Sequence, residues 1–208
     1  GRTPLHHASG NGHDNCARAM VELGANLEAA DGEGSTPLHL AGFNSHENCV
    51  RALAELWASL EASDNEGLTP LHDAAGNGHE SCVRALVELG ASVKASDNEG
   101  RTPLHDAAGN GHHSCARALV VLGANVEAAD GQGSTPLHLA AFYNHEICVR
   151  ALAELGASLE AVDNKGHKPL HDAACDGHES CMRTLVELGA SMEAADNKGR
   201  TPLHYAAG

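Results

Sequence analysis

Apolar positions recur along the chain as two short stripes per 33 residues, parted by glycine-rich and polar stretches. The beat is set by Thr-Pro-Leu-His, which begins at Thr3, Thr36, Thr69, Thr102, Thr135 and Thr201, with Lys-Pro-Leu-His at Lys168. Threonine then proline reads as an N-cap and first helical turn: the hydroxyl can accept an orphan N–H, and the proline φ is already helical. A short first helix follows, with Leu5 and Ala8 on its stripe and Gly10-Asn11-Gly12 as its stop. A second helix is predicted over Cys16–Leu23, where Cys16, Ala19, Met20 and Leu23 fall at i, i+3, i+4 and i+7 on one face. Gly24 takes the position after it, where positive φ costs little only for glycine. The remainder of each unit, such as Asn26–Gly34, has a weak two-residue alternation and an Asp-x-x-Gly turn. It predicts a hairpin-like finger.

The chain so divides into units 1–33, 34–66, 67–99, 100–132, 133–165 and 166–198, with the start of a seventh at 199–208. Neither helix can hide its stripe within one unit, so the units must lean on one another in a row. With packed helices roughly 8–10 Å apart, six units make a curved slab of about 50–60 Å. A slower pattern lies above the first: units 1 and 4, 2 and 5, and 3 and 6 share segments, for example Cys-Val-Arg-Ala-Leu-Ala-Glu-Leu from Cys49 and from Cys148. Duplication of a 99-residue block explains this, and so do two equivalent sites three units apart on one face. Trp57 stands where other units have Gly24, Gly90, Gly123, Gly156 and Gly189. Either its backbone is left-handed and strained, or the second finger takes another path.

Asp31-x-x-Gly34-x-Thr36-Pro37-Leu38-His39-x-Ala41, Gly78-His79 and Leu89-Gly90-Ala91, at this period over the whole chain, resemble the ankyrin repeat. The resemblance implies an all-α solenoid of L-shaped helix-turn-helix units with β-hairpin fingers, a single domain over 1–208, and a role in binding other proteins. Two departures stand out. The family often has asparagine where this chain has Glu28, Glu61, Lys94, Glu127, Glu160 and Glu193, so the asparagine hydroxylation known at that position is not expected here. Lys168 replaces the capping threonine, a loss of about 0.5–2 kcal/mol that should weaken the junction of units five and six.

The chain has 208 residues, of which 28 are Asp or Glu and 13 Lys or Arg, for a formal charge of −15. Nucleic acid and anionic membrane are poor partners for that balance, since phosphate is neutralised by clustered cations. No apolar run approaches the roughly 18 residues of a spanning helix. With only Phe43, Trp57, Phe142, Tyr143 and Tyr205 as aromatics, the core must be built from Ala, Leu and Val. No Met opens the chain, the first unit looks internal and the last stops inside a helix. These ends read as a segment of a longer array, or as trimmed ends.

His-x-x-Cys recurs at 13–16, 46–49, 79–82, 112–115, 145–148 and 178–181. Two ligands per unit do not make a site that usually wants four, and the cysteine lies on the core-facing stripe, so no metal and no cofactor is expected. Cysteines at one place in successive units are also too far apart to bridge. Cys175 takes a surface-type helix position, and the odd count fits a reducing, cytoplasmic compartment. His6 and its equivalents follow the cap by three residues, placed to reach back to the threonine or across to the next unit. His13 and its equivalents should fix the turn between helices in the same manner. If such rings are held neutral, the stability they add is present above pH ~6.5 and lost below it. Phosphate-loop, nucleophile-elbow and Cys-x-x-Cys motifs are absent, so no enzyme is read here. The Asp31, Asp64, Asp97 and Asp130 row suits turn capping. The Arg18-to-Arg183 row has Glu neighbours at i±4 in most units and reads as a solvated helix face.

Stacking fixes the framework, so the variable phases 2, 7, 10, 11 and 33 are left for recognition. The resemblance maps them to finger tips and the inner face of the first helix, lining a concave groove. Leu40, Phe43, Leu68, Leu139, Phe142 and Tyr143 supply candidate apolar contacts, and Asp73, Arg101, Asp106 and Asp172 candidate charged ones. Exposed aromatics are typical interface anchors, although Phe43 and Phe142 could also fill space left by Gly10, Gly76 and Gly109. The acidic residues favour a basic or mixed peptide or protein with apolar anchors. The competing readings are a structural spacer or self-stacking segment that associates end to end through uncapped termini, and an engineered scaffold without a dedicated ligand.

Overall fold

The computed structural model describes residues 1–206; Ala207 and Gly208, the last positions of the seventh unit, lie outside them. Thirteen helices are seen there: α1 (Pro4–Gly10), α2 (Asp14–Glu22), α3 (Pro37–Phe43), α4 (Glu47–Glu55), α5 (Pro70–Gly76), α6 (Glu80–Glu88), α7 (Pro103–Gly109), α8 (His113–Val121), α9 (Pro136–Phe142), α10 (Glu146–Glu154), α11 (Pro169–Cys175), α12 (Glu179–Glu187) and α13 (Pro202–Ala206). Odd-numbered helices pack on odd and even on even in a single file, with each pair also packed internally. The core is a repeated layer of small residues: Leu71, Ala74, Ala75, Cys82, Val83, Ala85 and Leu86 of one unit are all fully buried, as are their counterparts in the next. Cys16 departs from the expectation for its row. It is exposed while Cys49, Cys82, Cys115, Cys148 and Cys181 are buried, because that side of α2 carries no neighbouring helix.

The fingers contain no strand among the described residues, which corrects the expected β-hairpins. Each is a tight turn closed by two backbone bonds, as from Asp31 N–H to the Ser35 carbonyl at 2.9 Å and from Gly34 N–H to the Asp31 carbonyl at 3.2 Å. The Asp31 carboxylate caps the turn, accepting from Glu33 N–H at 2.9 Å and Ser35 N–H at 3.1 Å. Only one backbone bond joins successive fingers, for example Asn65 N–H to the Glu33 carbonyl at 3.0 Å. A side-chain bond reinforces it, from the Asn65 amide to the Gly32 carbonyl at 3.2 Å.

The Glu28 row has a use of its own. Glu28 Oε1 accepts from Ser59 N–H at 2.8 Å, and Glu61, Glu127 and Glu160 repeat the bond to Ser92, Ser158 and Ser191. Lys94 has no acceptor to offer at the corresponding junction. The arginine row also joins units: Arg51 pairs with Glu47 within its helix and with Glu88 of the next unit, both at 2.9 Å. Arg84 keeps only Glu80, since an exposed Val121 occupies the place of that distant glutamate. At Lys168 the hydroxyl bond is lost, but its N–H still reaches His171 Nδ1 at 3.2 Å and its ammonium pairs with Glu160 at 2.5 Å. The ion pair offsets part of the missing cap.

Trp57 adopts the left-handed option: its φ is +72° and it is 91% exposed. A side chain held there costs about 1–2 kcal/mol with almost no burial in return. Trp57→Gly is expected to raise stability by about 1 kcal/mol after the greater freedom of unfolded glycine is allowed for. Denaturant titration of the two chains checks it, and an unchanged or lowered midpoint would refute the strain.

Candidate functional site

The face built from the odd helices and the fingers is held in place by two rows of histidine. The first row is buried. His105 Nδ1 accepts from Thr102 N–H at 3.0 Å and from the Thr102 hydroxyl at 2.9 Å, while Nε2–H donates to the Ser134 carbonyl of the next unit at 3.0 Å. His6, His39, His72 and His138 repeat this arrangement, and His171 keeps it without the hydroxyl. An Nδ1 that accepts two bonds fixes the neutral tautomer with the proton on Nε2. Burial accordingly pushes the pKa of His39, His72, His105, His138 and His171 down. Both destinations foreseen for this residue are reached at once.

The second row bonds to the turn of the preceding unit and not, as expected, to its own. His46, His79, His145 and His178 each donate from Nε2 to a carbonyl of the preceding unit: Gly10, Phe43, Gly109 and Phe142, at 2.8–3.1 Å. The preceding turn must admit the ring. Gly78 has a φ of +77°, and a Cβ built there would fall 2.5 Å from His112 Nδ1. Both the backbone angle and the neighbour favour glycine at Gly78, although Ser45 and Asn144 hold the same place in the second and fifth units at φ of +64° and +62°.

On this scaffold lie three hollows. The largest, about 610 Å³, is lined by Phe43, Leu68, Asp73, Arg101 and Asp106 among others. A second, about 350 Å³, includes Arg101, Leu139, Phe142, Tyr143 and Asp172. A third, about 230 Å³, shares Arg101 and Asp106 with the first and Leu139 and Tyr143 with the second. Nine of the ten candidate residues therefore lie on one continuous groove along the stack. Leu40 is the exception: it is 7% exposed and packs beside Gly10 of the preceding unit, with no free surface for a partner. Leu139 and Tyr143 also lean on a glycine, Gly109, but Tyr143 remains 48% exposed, with Phe43 at 48% and Phe142 at 41%. The Phe142 and Tyr143 rings meet edge to face, centroids 4.9 Å apart.

Burial raises the pKa of Asp73 to about 8, of Asp106 to about 7 and of Asp172 to about 8, each helped by a neighbouring carboxylate: Asp64, Asp97 and Asp163. Arg101 pulls Asp106 the other way while pairing with Glu99 at 3.1 Å. Sequence reading missed one cluster. Tyr205 donates to Asp196 at 2.8 Å, lies 2.9 Å from His167 Nε2 and contacts Arg200, so it ties α13 to the preceding unit.

The family profile described as Ankyrin repeats (3 copies) matches residues 1–64, 55–130, 94–163, 120–196 and 160–208. The chain belongs to the ankyrin repeat family. Among solved structures, the human ASB11 ankyrin repeat domain is 30% identical, with 99% of this chain and 92% of that one covered at a TM-score of 0.87. The ankyrin repeat domain of Bcl-3, a member of the IkappaB protein family, is 32% identical, with 99% and 94% covered and a TM-score of 0.86. No curated protein sequence matches the chain. In this ankyrin array the expected helical solenoid is what the fold shows, and ankyrin repeat domains are in general protein–protein interaction modules.

Proposed function

We propose that residues 1–208 form one non-catalytic binding domain that holds a protein or peptide partner in the groove from Phe43 to Asp172. The observation that carries this is the pair Phe142 and Tyr143. Stacking needs neither of their exposed surfaces, since Gly76, at the position of Phe142, fills the same register in the third unit without an aromatic ring. Aromatic groups left half-open in a hollow are the kind that dominate interface energetics. The partner is basic or mixed in character, with apolar anchors, to suit the acidic lining; nucleic acid and anionic membrane do not suit it. The free cysteines fit a reducing compartment such as the cytoplasm.

Phe142→Ala/Tyr143→Ala is expected to weaken partner binding at least tenfold with little change in stability, because both side chains are largely outside the core. Affinity of the captured partner for each chain, beside a melting curve, checks it. Unchanged affinity would remove the groove from consideration.

A second reading rests on α2. Leu23, just past its end, is 88% exposed, and a hollow of about 460 Å³ is lined by Leu5, Met20 and Leu23 among others. An apolar helix face of this sort suits end-to-end association of copies. Light scattering against concentration separates the readings: growth in mass that Leu23→Lys abolishes would favour self-association.

A further inference from the structure

The two larger hollows of the groove are copies of one framework. Adding 99 to Phe43 and Asp73 of the first gives Phe142 and Asp172 of the second, so ring and carboxylate recur at equivalent places. Of the positions that line both hollows, three others have diverged: Glu66 became Lys165, Leu68 became His167 and Gly76 became Cys175. The consequences are electrostatic. In the first hollow the carboxylates of Asp73 and Asp106 accept no hydrogen bond from any described residue, and Glu66, Asp97 and Glu99 stand around them. Its single cation, Arg101, is already paired with Glu99. In the second hollow His167 Nδ1 sits 3.6 Å from Asp172, and Lys165 offsets that carboxylate further. There the apolar surface on offer is Leu139, Phe142 and Tyr143.

We propose that the groove is bipartite and reads a two-part peptide segment: a lysine or arginine seated over Asp73 and Asp106, and a large apolar side chain seated against Leu139, Phe142 and Tyr143. The inference rests on the groove being the binding surface. Charge complementarity assigns the cation to the first hollow, where Glu66, Asp97 and Glu99 add to the two groove carboxylates and no lysine stands beside them; the ring pair assigns the anchor to the second. Asp106 is one unit and Asp73 two units from Phe142. At roughly 10 Å per unit and about 3.3 Å per extended residue, the two elements lie about three to six residues apart in the ligand. The raised carboxyl pKa values agree with this, because a buried carboxylate without a counter-ion holds its proton until a cation arrives.

A displayed library of random twelve-residue peptides, selected on the whole chain at low salt, is the test. Enriched peptides should carry Lys or Arg three to six positions from Phe, Leu or Trp. Asp73→Asn/Asp106→Asn should weaken a representative synthetic peptide about tenfold, and the same peptide with its basic residue changed to Gln should bind both chains alike. That cycle reads the contact itself and is insensitive to a general change in folding. Peptides that lose affinity with Phe142→Ala/Tyr143→Ala but are indifferent to the Asn pair would overturn the bipartite assignment and leave the groove reading standing. Peptides indifferent to both pairs, or no enrichment at all, would overturn both.

Discussion

His105→Ala is expected to cost the array about 3 kcal/mol, the largest effect of any single replacement considered. The ring is fully buried and makes three hydrogen bonds, two to Thr102 and one to the Ser134 carbonyl of the following unit. Alanine leaves the Thr102 N–H without a partner in a region closed to water and strips the Ser134 carbonyl of one of its two donors, the Asp130 N–H remaining. Such an orphaned group costs about 1–3 kcal/mol, and the vacated volume adds to it. The loss should also be local. In a stack coupled through nearest neighbours, the junction between the fourth and fifth units should weaken most. Hydrogen exchange should therefore speed up around α7, α8 and α9 well before α3 and α4. A loss under about 0.5 kcal/mol, the size of an ordinary surface substitution, or a uniform change along the chain, would contradict the role given to the imidazole.

Stability should peak near neutral pH and fall steeply below pH 6.5. Burial places the folded pKa of His39, His72, His105, His138 and His171 under the ordinary value. The unfolded rings then take up protons that the folded ones refuse, so their contribution is complete above about 6.5 and is lost as pH drops through and below it. Each ring removes about 1.4 kcal/mol per pH unit while it stays neutral in the fold. Asp73, Asp106 and Asp172 act in the opposite sense. Their folded values of about 8, 7 and 8 lie above the unfolded carboxyl, so they add stability as pH falls through that range. From pH 8.5 to 7 only the carboxyls change, and stability rises. Below 6.5 five rings oppose three carboxyls, so the rings prevail and stability falls. Denaturant midpoints at pH 8.5, 6.8 and 5.5 should be highest in the middle. A midpoint at 5.5 equal to or above that at 6.8 would show that the rings are not held neutral.

What the sequence made legible was whatever recurs within one unit. Thr3 and His6 lie three residues apart, so the cap and its ring could be paired on paper, and Gly24 against Trp57 exposed the strained position. Apart from the reach of His6 across to the next unit, contacts between units were out of reach, because their separations depend on how one unit sits on the next. Glu28 meets Ser59 at 31 residues, His46 meets the Gly10 carbonyl at 36, and Arg51 meets Glu88 at 37. No local pattern announces those numbers. The fingers were misread for a related reason: the alternation near Asp31 suggested paired strands, yet the Asp31 carboxylate already holds the turn and leaves little backbone to pair. Among the groove residues, Phe43, Phe142 and Tyr143 could be picked out as aromatic rings in variable phases. The burial of Leu40 could not, since it depends on Gly10 in the unit before.

The central claim is that the stack leaves one groove, and that a partner occupies it. The most direct measurement places a photo-crosslinking amino acid at position 43, at 142, at 121 or at 147, one site per chain. Phe43 and Phe142 border the groove, whereas the exposed Val121 and Ile147 lie on α8 and α10 and line none of its hollows. One and the same partner should be captured from 43 and from 142 and not from the other two. Capture from 121 or 147 with nothing from the groove positions would contradict the account.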